Sequence, residues 1–524
     1  MKNSIARSIS TGFFLLLLAT ASTFAQGLDP AALLKPPTDT WPTYNGDYSG
    51  RRFSTLDQIN AGNVNSLALA WVFHPRFNIK STPLAVNGIL YFTSPDHVWA
   101  VDARFGKEIW HYYRHSDGDH IGNRGVGMYK DWLFFCTPDA HLVSLNAKDG
   151  TVRWIVELAD PKLGYFSTMS PLVIRNHVLV GVSGDVTDIR GFLESIDPET
   201  GKVQWRWNTT PAPGEPGSET WPQDSDSILH GGGMPWMTGT YDPELNLTYW
   251  GIGNPNPVLA GAGRLGHNLY TCSIVALNPD TGKLSWYFQP SPHDLHDWDA
   301  VQTPVLFNAE FHGKPRKLLA QASRNSFFFV LDRATGEHLL TAPYIDQTWA
   351  SGIDGSGIPV AKPDVAPTPD GALVEPGSDG GTNWMAPSFS PDTGLFYVNS
   401  RRIFSVFYRT TDGKAEGWSG RDRILYTNST IRAIDYQTGK IAWNHEAGEG
   451  TSLAGILTTA GQVLFTQDNS QNLLALDPRT GKTLWHLNVG GDLVASPMTY
   501  QLDGRQYLLV PVEDTVYAFA LPAK

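Results

Sequence analysis

Apolar and polar residues alternate along many short runs, and the runs end in one recurring way. Each closes on Asp or Asn, passes through a Thr-Gly-Lys-like turn, and restarts on a stretch that carries Trp four residues after the Gly. The pattern is found at Asp102, Gly106 and Trp110; at Asn146, Gly150 and Trp154; and at Asp197, Gly201 and Trp205. It returns at Asn278, Gly282 and Trp286; at Asp435, Gly439 and Trp443; and at Asp477, Gly481 and Trp485. Another copy, Asp332 to Gly336, has Leu340 where Trp is expected. The Gly-to-Gly steps are 44, 51, 81, 54, 103 and 42 residues, so the short steps are one unit and the two long ones carry insertions.

The physics of one unit is simple. An Asp or Asn side chain can accept a hydrogen bond from its own backbone two residues on, and Gly takes the left-handed position of the turn. The next strand then brings Trp to a fixed place, where it is expected to pack between neighbouring units. One small sheet cannot hide both its faces, so units must stack, and periods of roughly 40–50 residues indicate a β-propeller. A hidden copy at Ser390 to Tyr397 makes eight blades the expectation. The last strand, Thr515 to Phe519, is expected to be completed by the early segment ending at Ala70-Trp71-Val72, which leaves the ring no open edge. The repeat Trp is never followed by Asp, and paired glycines do not recur, which disfavours the WD40 and kelch variants.

Composition agrees with an all-β chain. The 524 residues are 41% hydrophobic and 17% charged, enough for a large core and unlike a disordered protein. A net charge of −12 disfavours nucleic acid as a partner. Lys2 and Arg7, an apolar run from Gly12 to Ala19, and Thr23-Phe24-Ala25 have the layout of a signal peptide. The expected division is therefore a leader over 1–25 and a single propeller domain over 26–524, periplasmic or secreted. The apolar run is too short for a bilayer that needs about 20 residues, so no transmembrane segment is expected. The two cysteines, Cys136 and Cys272, read as buried small hydrophobes, and no CxxCH haem attachment is present.

Between the repeats lie segments that the propeller alone does not require. With the repeats and the opening Trp41-Pro42-Thr43-Tyr44-Asn45-Gly46-Asp47, they resemble the pyrroloquinoline quinone (PQQ) dehydrogenases of the methanol/ethanol type over roughly residues 40–520. The repeats by themselves also resemble an outer-membrane assembly lipoprotein that has no cofactor, so the intervening segments carry the case. Gly231-Gly232-Gly233-Met234-Pro235-Trp236 and Gly251-Ile252-Gly253-Asn254 are similar to the family's cofactor floor. The resemblance implies that Trp236 stacks under the quinone and that Asn254 offers an oxygen to a metal. A rigid aromatic plane suits a flat tricycle, and an amide oxygen suits a hard cation.

Pro292-His293-Asp294-Leu295-His296-Asp297-Trp298-Asp299 resembles the catalytic stretch, which makes Asp297 the expected general base. Asp299 falls where lanthanide-using members carry an extra carboxylate, so Asn254, Asp297 and Asp299 are the expected ligands of Ca²⁺ or a lanthanide. A His-rich site at His293 and His296 is the lesser alternative. Asn123-Arg124-Gly125, Ser323-Arg324-Asn325 and Gly380-Gly381-Thr382-Asn383-Trp384 resemble the segments that hold the quinone. Arg124 is expected to pair with a cofactor carboxylate, since a guanidinium fork matches that group. Arg324 is expected at the reactive oxygens, with Thr168, Ser183, Gly184, Asn383 and Trp384 as further contacts.

The chain also departs from the family. Gly118-Asp119 stands where a vicinal cysteine pair is usual, Val186 where a metal-binding glutamate is usual, Lys80 where a cofactor-contacting glutamate is usual, and Met234 where a small hydroxyl residue is usual. Asp185 or Asp188 is the expected substitute for the missing glutamate. The reading implied is an exported oxidoreductase that moves hydride from an alcohol to PQQ and passes electrons to a separate acceptor such as cytochrome c. The rival reading is a cofactor-free propeller that binds or scaffolds.

Overall fold

The computed structural model describes residues 27–184, 187–410 and 417–522. The leader over 1–25 therefore lies outside the described residues, as do Asp185 and Val186. Among the described residues there are eight sheets of four or five strands and one two-stranded sheet, and the helical segments are single 3₁₀ turns. Most of the larger sheets are antiparallel meanders, of which Leu84–Val86, Ile89–Ser94, His97–Asp102 and Lys107–Tyr113 are typical. The first three strands are almost wholly buried, whereas the fourth alternates between exposed and half-buried positions. Apolar runs thus form the inner strands and amphipathic runs the outer one.

The expected turn chemistry is present. Asp102 Oδ1 accepts from the Arg104 N–H at 2.8 Å, and the Gly106 N–H donates to the Asp102 carbonyl at 2.9 Å. A one-residue bulge then interrupts the pairing of the third and fourth strands just before Trp110, and the same irregularity precedes Trp154, Trp205, Trp286, Trp443 and Trp485. A bulge re-aims the following side chain. Here it turns each indole towards the next sheet. Trp71, Trp110, Trp205, Trp286 and Trp443 all donate Nε1–H to a backbone carbonyl of the following unit, at 2.7–3.1 Å. Each of these rings also lies against the turn glycine of that unit. Where the repeat has Leu340 instead of Trp, Gly439 meets Ala342 and Leu340.

The chain ends meet as expected: Ala68–Phe73 pairs antiparallel with Thr515–Ala520. The 103-residue step holds the strand, turn and strand expected near Ser390, as Ser388–Ser390 and Leu395–Arg409. It also holds the two-stranded sheet Ala350–Ile353 with Pro359–Ala361, and a long hairpin that pairs Leu395–Arg409 with Gly420–Asp435. The far end of that hairpin bends back, so that Val258 and Leu259 donate to the carbonyls of Gly417 and Trp418, both at 3.0 Å. This closes a wall beside the Asn254 segment.

Docking of glycine against tryptophan gives a test. A Cβ on Gly481, whose φ is +69°, would fall 2.4 Å from the Trp443 ring, whereas one on Gly490, at φ +74°, would meet nothing within 4 Å. Gly490→Ala is expected to cost only the left-handed penalty of about 1–2 kcal/mol. Gly481→Ala should cost about 1–3 kcal/mol more from overpacking. Urea-unfolding midpoints of the two variants measure the difference.

Candidate functional site

The inter-repeat segments are fastened to one another by backbone hydrogen bonds. The Gly233 N–H donates to the Asn254 carbonyl at 2.9 Å, and the Gly253 N–H to the Met234 carbonyl at 3.1 Å. The floor segment and the Asn254 segment are thereby locked side by side. Met234 is buried with Val182, Ile189 and Phe192, in a cluster against which Trp236 packs.

Asp294 shapes the next segment. Its Oδ2 accepts from the N–H groups of Asp297 at 2.8 Å and Trp298 at 3.1 Å, and Asp297 adopts a positive φ of 67°. This turn sends two carboxylates to one guanidinium. Arg324 Nη2 lies 3.3 Å from Asp297 Oδ2, and its Nη1 lies 2.7 Å from Asp299 Oδ2. Asp299 also accepts from Trp236 Nε1 at 2.9 Å and from the Asn254 N–H at 2.6 Å. Asn325 anchors this segment through the Pro290 carbonyl and Ser291 Oγ. All three charged side chains are buried, at 7, 8 and 3% exposure for Arg324, Asp297 and Asp299, so the ion pairs are shielded from solvent screening.

A cavity of about 230 Å³ lies against this network. Trp236 and Trp384 supply aromatic surface, and Arg124, Thr168, Ser183 and Asn383 supply polar groups. Asn123 positions Arg124: its Oδ1 accepts from Thr93 and from the Gly125 N–H, and its Nδ2 donates to the Cys136 carbonyl. The Arg124 side chain donates to Thr168 Oγ1, and its guanidinium sits 4.9 Å from the Trp236 ring and 5.8 Å from that of Trp384. Burial pulls its pKa down to about 10, so it stays cationic at neutral pH, and it has no acidic partner among the described residues. Three buried polar atoms around this one space have no hydrogen-bond partner among the described residues: Arg124 Nε, Ser183 Oγ and Asn383 Oδ1. Buried polar atoms are normally satisfied, so three orphans on one cavity mark a polar ligand's place.

Of the expected residues, Arg124, Thr168, Ser183, Trp236, Arg324, Asn383 and Trp384 line this cavity, whereas Asp297 and Asp299 are off the lining and reach it through Arg324, and Asn254 joins them through its backbone N–H. Gly184 is outside the lining; a Cβ there would meet Ile189 at 2.8 Å, and the residue serves packing. Asp188 is no stand-in for the missing glutamate, because its carboxylate turns to His230, 3.1 Å away. His296 stacks on Trp298 and bonds the Val365 carbonyl, and His293 bonds the Gly266 carbonyl, so both imidazoles are spent on structure. Cys136 and Cys272 are free and buried, as expected. Sequence reasoning missed Ile121, Gly122, Phe166 and Asp379 on the lining. None belongs to a repeat, but Gly122 directly precedes Asn123-Arg124 and Asp379 directly precedes Gly380-Gly381, so both adjoin a segment that carries the resemblance.

Trp-docked sheets whose connecting segments wall a polar, indole-floored cavity define a β-propeller of the quinoprotein class. A family model described as "Glucose/ethanol/alcohol dehydrogenase, beta-propeller domain" matches residues 41–343, and one for the outer membrane protein assembly factor BamB matches residues 271–523. The chain is 35% identical to quinoprotein alcohol dehydrogenase PedH of Pseudomonas putida, over 88% of this chain and 84% of that one. It is also 35% identical to a quinohemoprotein alcohol dehydrogenase of Comamonas testosteroni, over 91% and 73%. The crystal structure of the quinohemoprotein alcohol dehydrogenase from Comamonas testosteroni superposes with a TM-score of 0.89 at 31% identity, over 97% of this chain and 84% of that one. A europium-containing methanol dehydrogenase does so with 0.86 at 28%, over 93% and 99%. The chain belongs to the PQQ-dependent alcohol dehydrogenase family.

The charge network predicts its own energetics. Arg324→Ala leaves two carboxylates buried without their cation and should cost about 3–5 kcal/mol. Adding Asp297→Asn and Asp299→Asn to it should restore part of that loss, because the uncompensated charges are then gone. Denaturant unfolding of the three proteins, wild type included, without added ligand, measures both effects.

Proposed function

We propose that this protein is an exported alcohol dehydrogenase whose eight sheets close into one ring around a PQQ site, and that the cavity over Trp236 is that site. The observation carrying the proposal is the set of orphaned polar atoms on an indole-floored, cation-bearing cavity, which suits a flat ring with carboxylates on its rim. Trp236 is the floor, Trp384 a side wall, and Arg124, Thr168, Ser183 and Asn383 the rim contacts. PQQ, when bound, supplies the acceptor for the hydride that leaves the alcohol carbon.

The chain's own residues do the rest. Asp297 takes the hydroxyl proton as the C–H bond gives up its electron pair, and the alcohol becomes an aldehyde. Arg324 holds Asp297 in place and keeps positive charge beside the developing charge of the transition state. Asp299 orients both Arg324 and the Trp236 indole. Two carboxylates and an amide oxygen, from Asp297, Asp299 and Asn254, are a donor set that a hard cation accepts, and Ca²⁺ or a lanthanide would be held there. Arg324 already shares both carboxylates, so the guanidinium and the ion divide the same charge. Electrons then pass to a separate acceptor such as cytochrome c. No helix among the described residues is long and apolar enough to cross a membrane.

The test is dye-linked oxidation of a panel of primary alcohols by purified protein supplied with PQQ and either Ca²⁺ or La³⁺. Turnover is expected, and Asp297→Asn should lower it by about 100-fold or more. Absence of turnover together with absence of quinone absorbance on the gel-filtered protein would return the cofactor-free scaffold reading.

A further inference from the structure

A second cavity, about 460 Å³, lies beside the first, and Phe77, His97 and Tyr113 are on its wall. His97 is stacked on Trp99 and on Tyr113, and burial together with His111 pushes its pKa down to about 4, so it adds no charge at neutral pH. The two cavities share Lys80, Ile121 and Gly122. Lys80 is therefore the cation that faces both spaces.

Lys80 has a single hydrogen-bond partner among the described residues, the Ile121 carbonyl at 2.5 Å, and no carboxylate pairs with it. Burial lowers its pKa, and the Arg124 charge lowers it further. Two cations thus share one cavity lining, and among the described residues neither is paired with an acid. The acids nearest at hand are occupied: Asp96, in the second cavity, accepts from Ser116 Oγ at 2.6 Å and His120 Nε2 at 2.8 Å, and half-exposed Asp379 turns to Arg401 and Asn383. Gly122 makes the arrangement possible, because a Cβ there would come within 2.7 Å of the Lys80 stem.

We propose that Lys80 and Arg124 form a two-cation seat for a carboxylate at the junction of the two cavities. Two sources share that chemistry: the rim of the bound quinone, reached from the inner cavity, and an alcohol substrate that itself carries a carboxylate, reached from the aromatic outer cavity. Both sources rest on the dehydrogenase reading; the seat itself does not. Opposite charge within a partly desolvated space gives such a seat its affinity, and salt weakens it.

The experiment uses the full chain and no turnover. Tryptophan fluorescence, which Trp236 and Trp384 report, is titrated with PQQ, with a short hydroxycarboxylate and with its methyl ester, at low and high salt. Wild type, Lys80→Gln, Lys80→Arg and Gly122→Ala are compared. A carboxylate probe should bind at least about 10-fold more weakly to Lys80→Gln and Gly122→Ala and almost normally to Lys80→Arg, whereas the ester should not discriminate. Loss confined to PQQ assigns the seat to the quinone, and loss confined to the hydroxycarboxylate assigns it to the substrate. If wild type binds no PQQ, the dehydrogenase reading falls and the hydroxycarboxylate alone decides the seat. Equal affinity of both carboxylates for wild type and Lys80→Gln, or no binding of either, overturns the proposal.

Discussion

The arrangement depends most on one guanidinium. Arg324 holds Asp297 and Asp299 together, and Asp299 in turn holds the Trp236 indole and the Asn254 backbone. Four segments meet at that point: those of Trp236 and of Asp297 with Asp299 connect one sheet to the next, and those of Asn254 and Arg324 are loops between strands of one sheet. An ion pair buried this deeply gains little net stability, because desolvating three charges offsets most of their attraction. What it supplies is position: Asp297, Trp236 and the Asn254 segment cannot move independently without breaking a buried charge contact.

The propeller makes such a junction affordable. Regular turns, bulges and docked indoles occupy the periphery of each unit, and the bulge before each Trp commits its ring to the neighbouring sheet. The stability of the ring is thus carried by contacts that the site does not use. Segments between repeats are free to carry left-handed residues such as Asp297, buried polar atoms and unpaired cations. The paired strands Leu395–Arg409 and Gly420–Asp435 add a wall, with Phe407 packed edge-on to His296 in the turn over residues 294–299.

Much of this was legible in the chain. The Asp, Gly and Trp spacing announces the turns, because only one backbone geometry puts a cap, a left-handed glycine and an indole at those intervals. Pairing of the early strand Ala68–Phe73 with the last strand Thr515–Ala520 follows from the same pattern. The site was legible as motifs, and Arg124, Trp236, Asn383 and Trp384 do line one space. Three-dimensional consequences were not. Spacing does not reveal that Gly184 packs on Ile189, that Asp188 turns outward to His230, or that Lys80 reaches a second cavity across Gly122. Each depends on which neighbour a side chain meets across segments with no common period, and a linear pattern holds no information on that.

The central claim concerns the surface of Trp236, which the Arg124 guanidinium covers at 4.9 Å. A crystal structure of the protein grown with PQQ tests it most directly. The account predicts flat density parallel to the Trp236 ring, with Arg124 displaced to the rim and Asn383 and Ser183 bonded to the new group. Arg124 still lying over the indole, with the quinone absent or bound elsewhere, would contradict it.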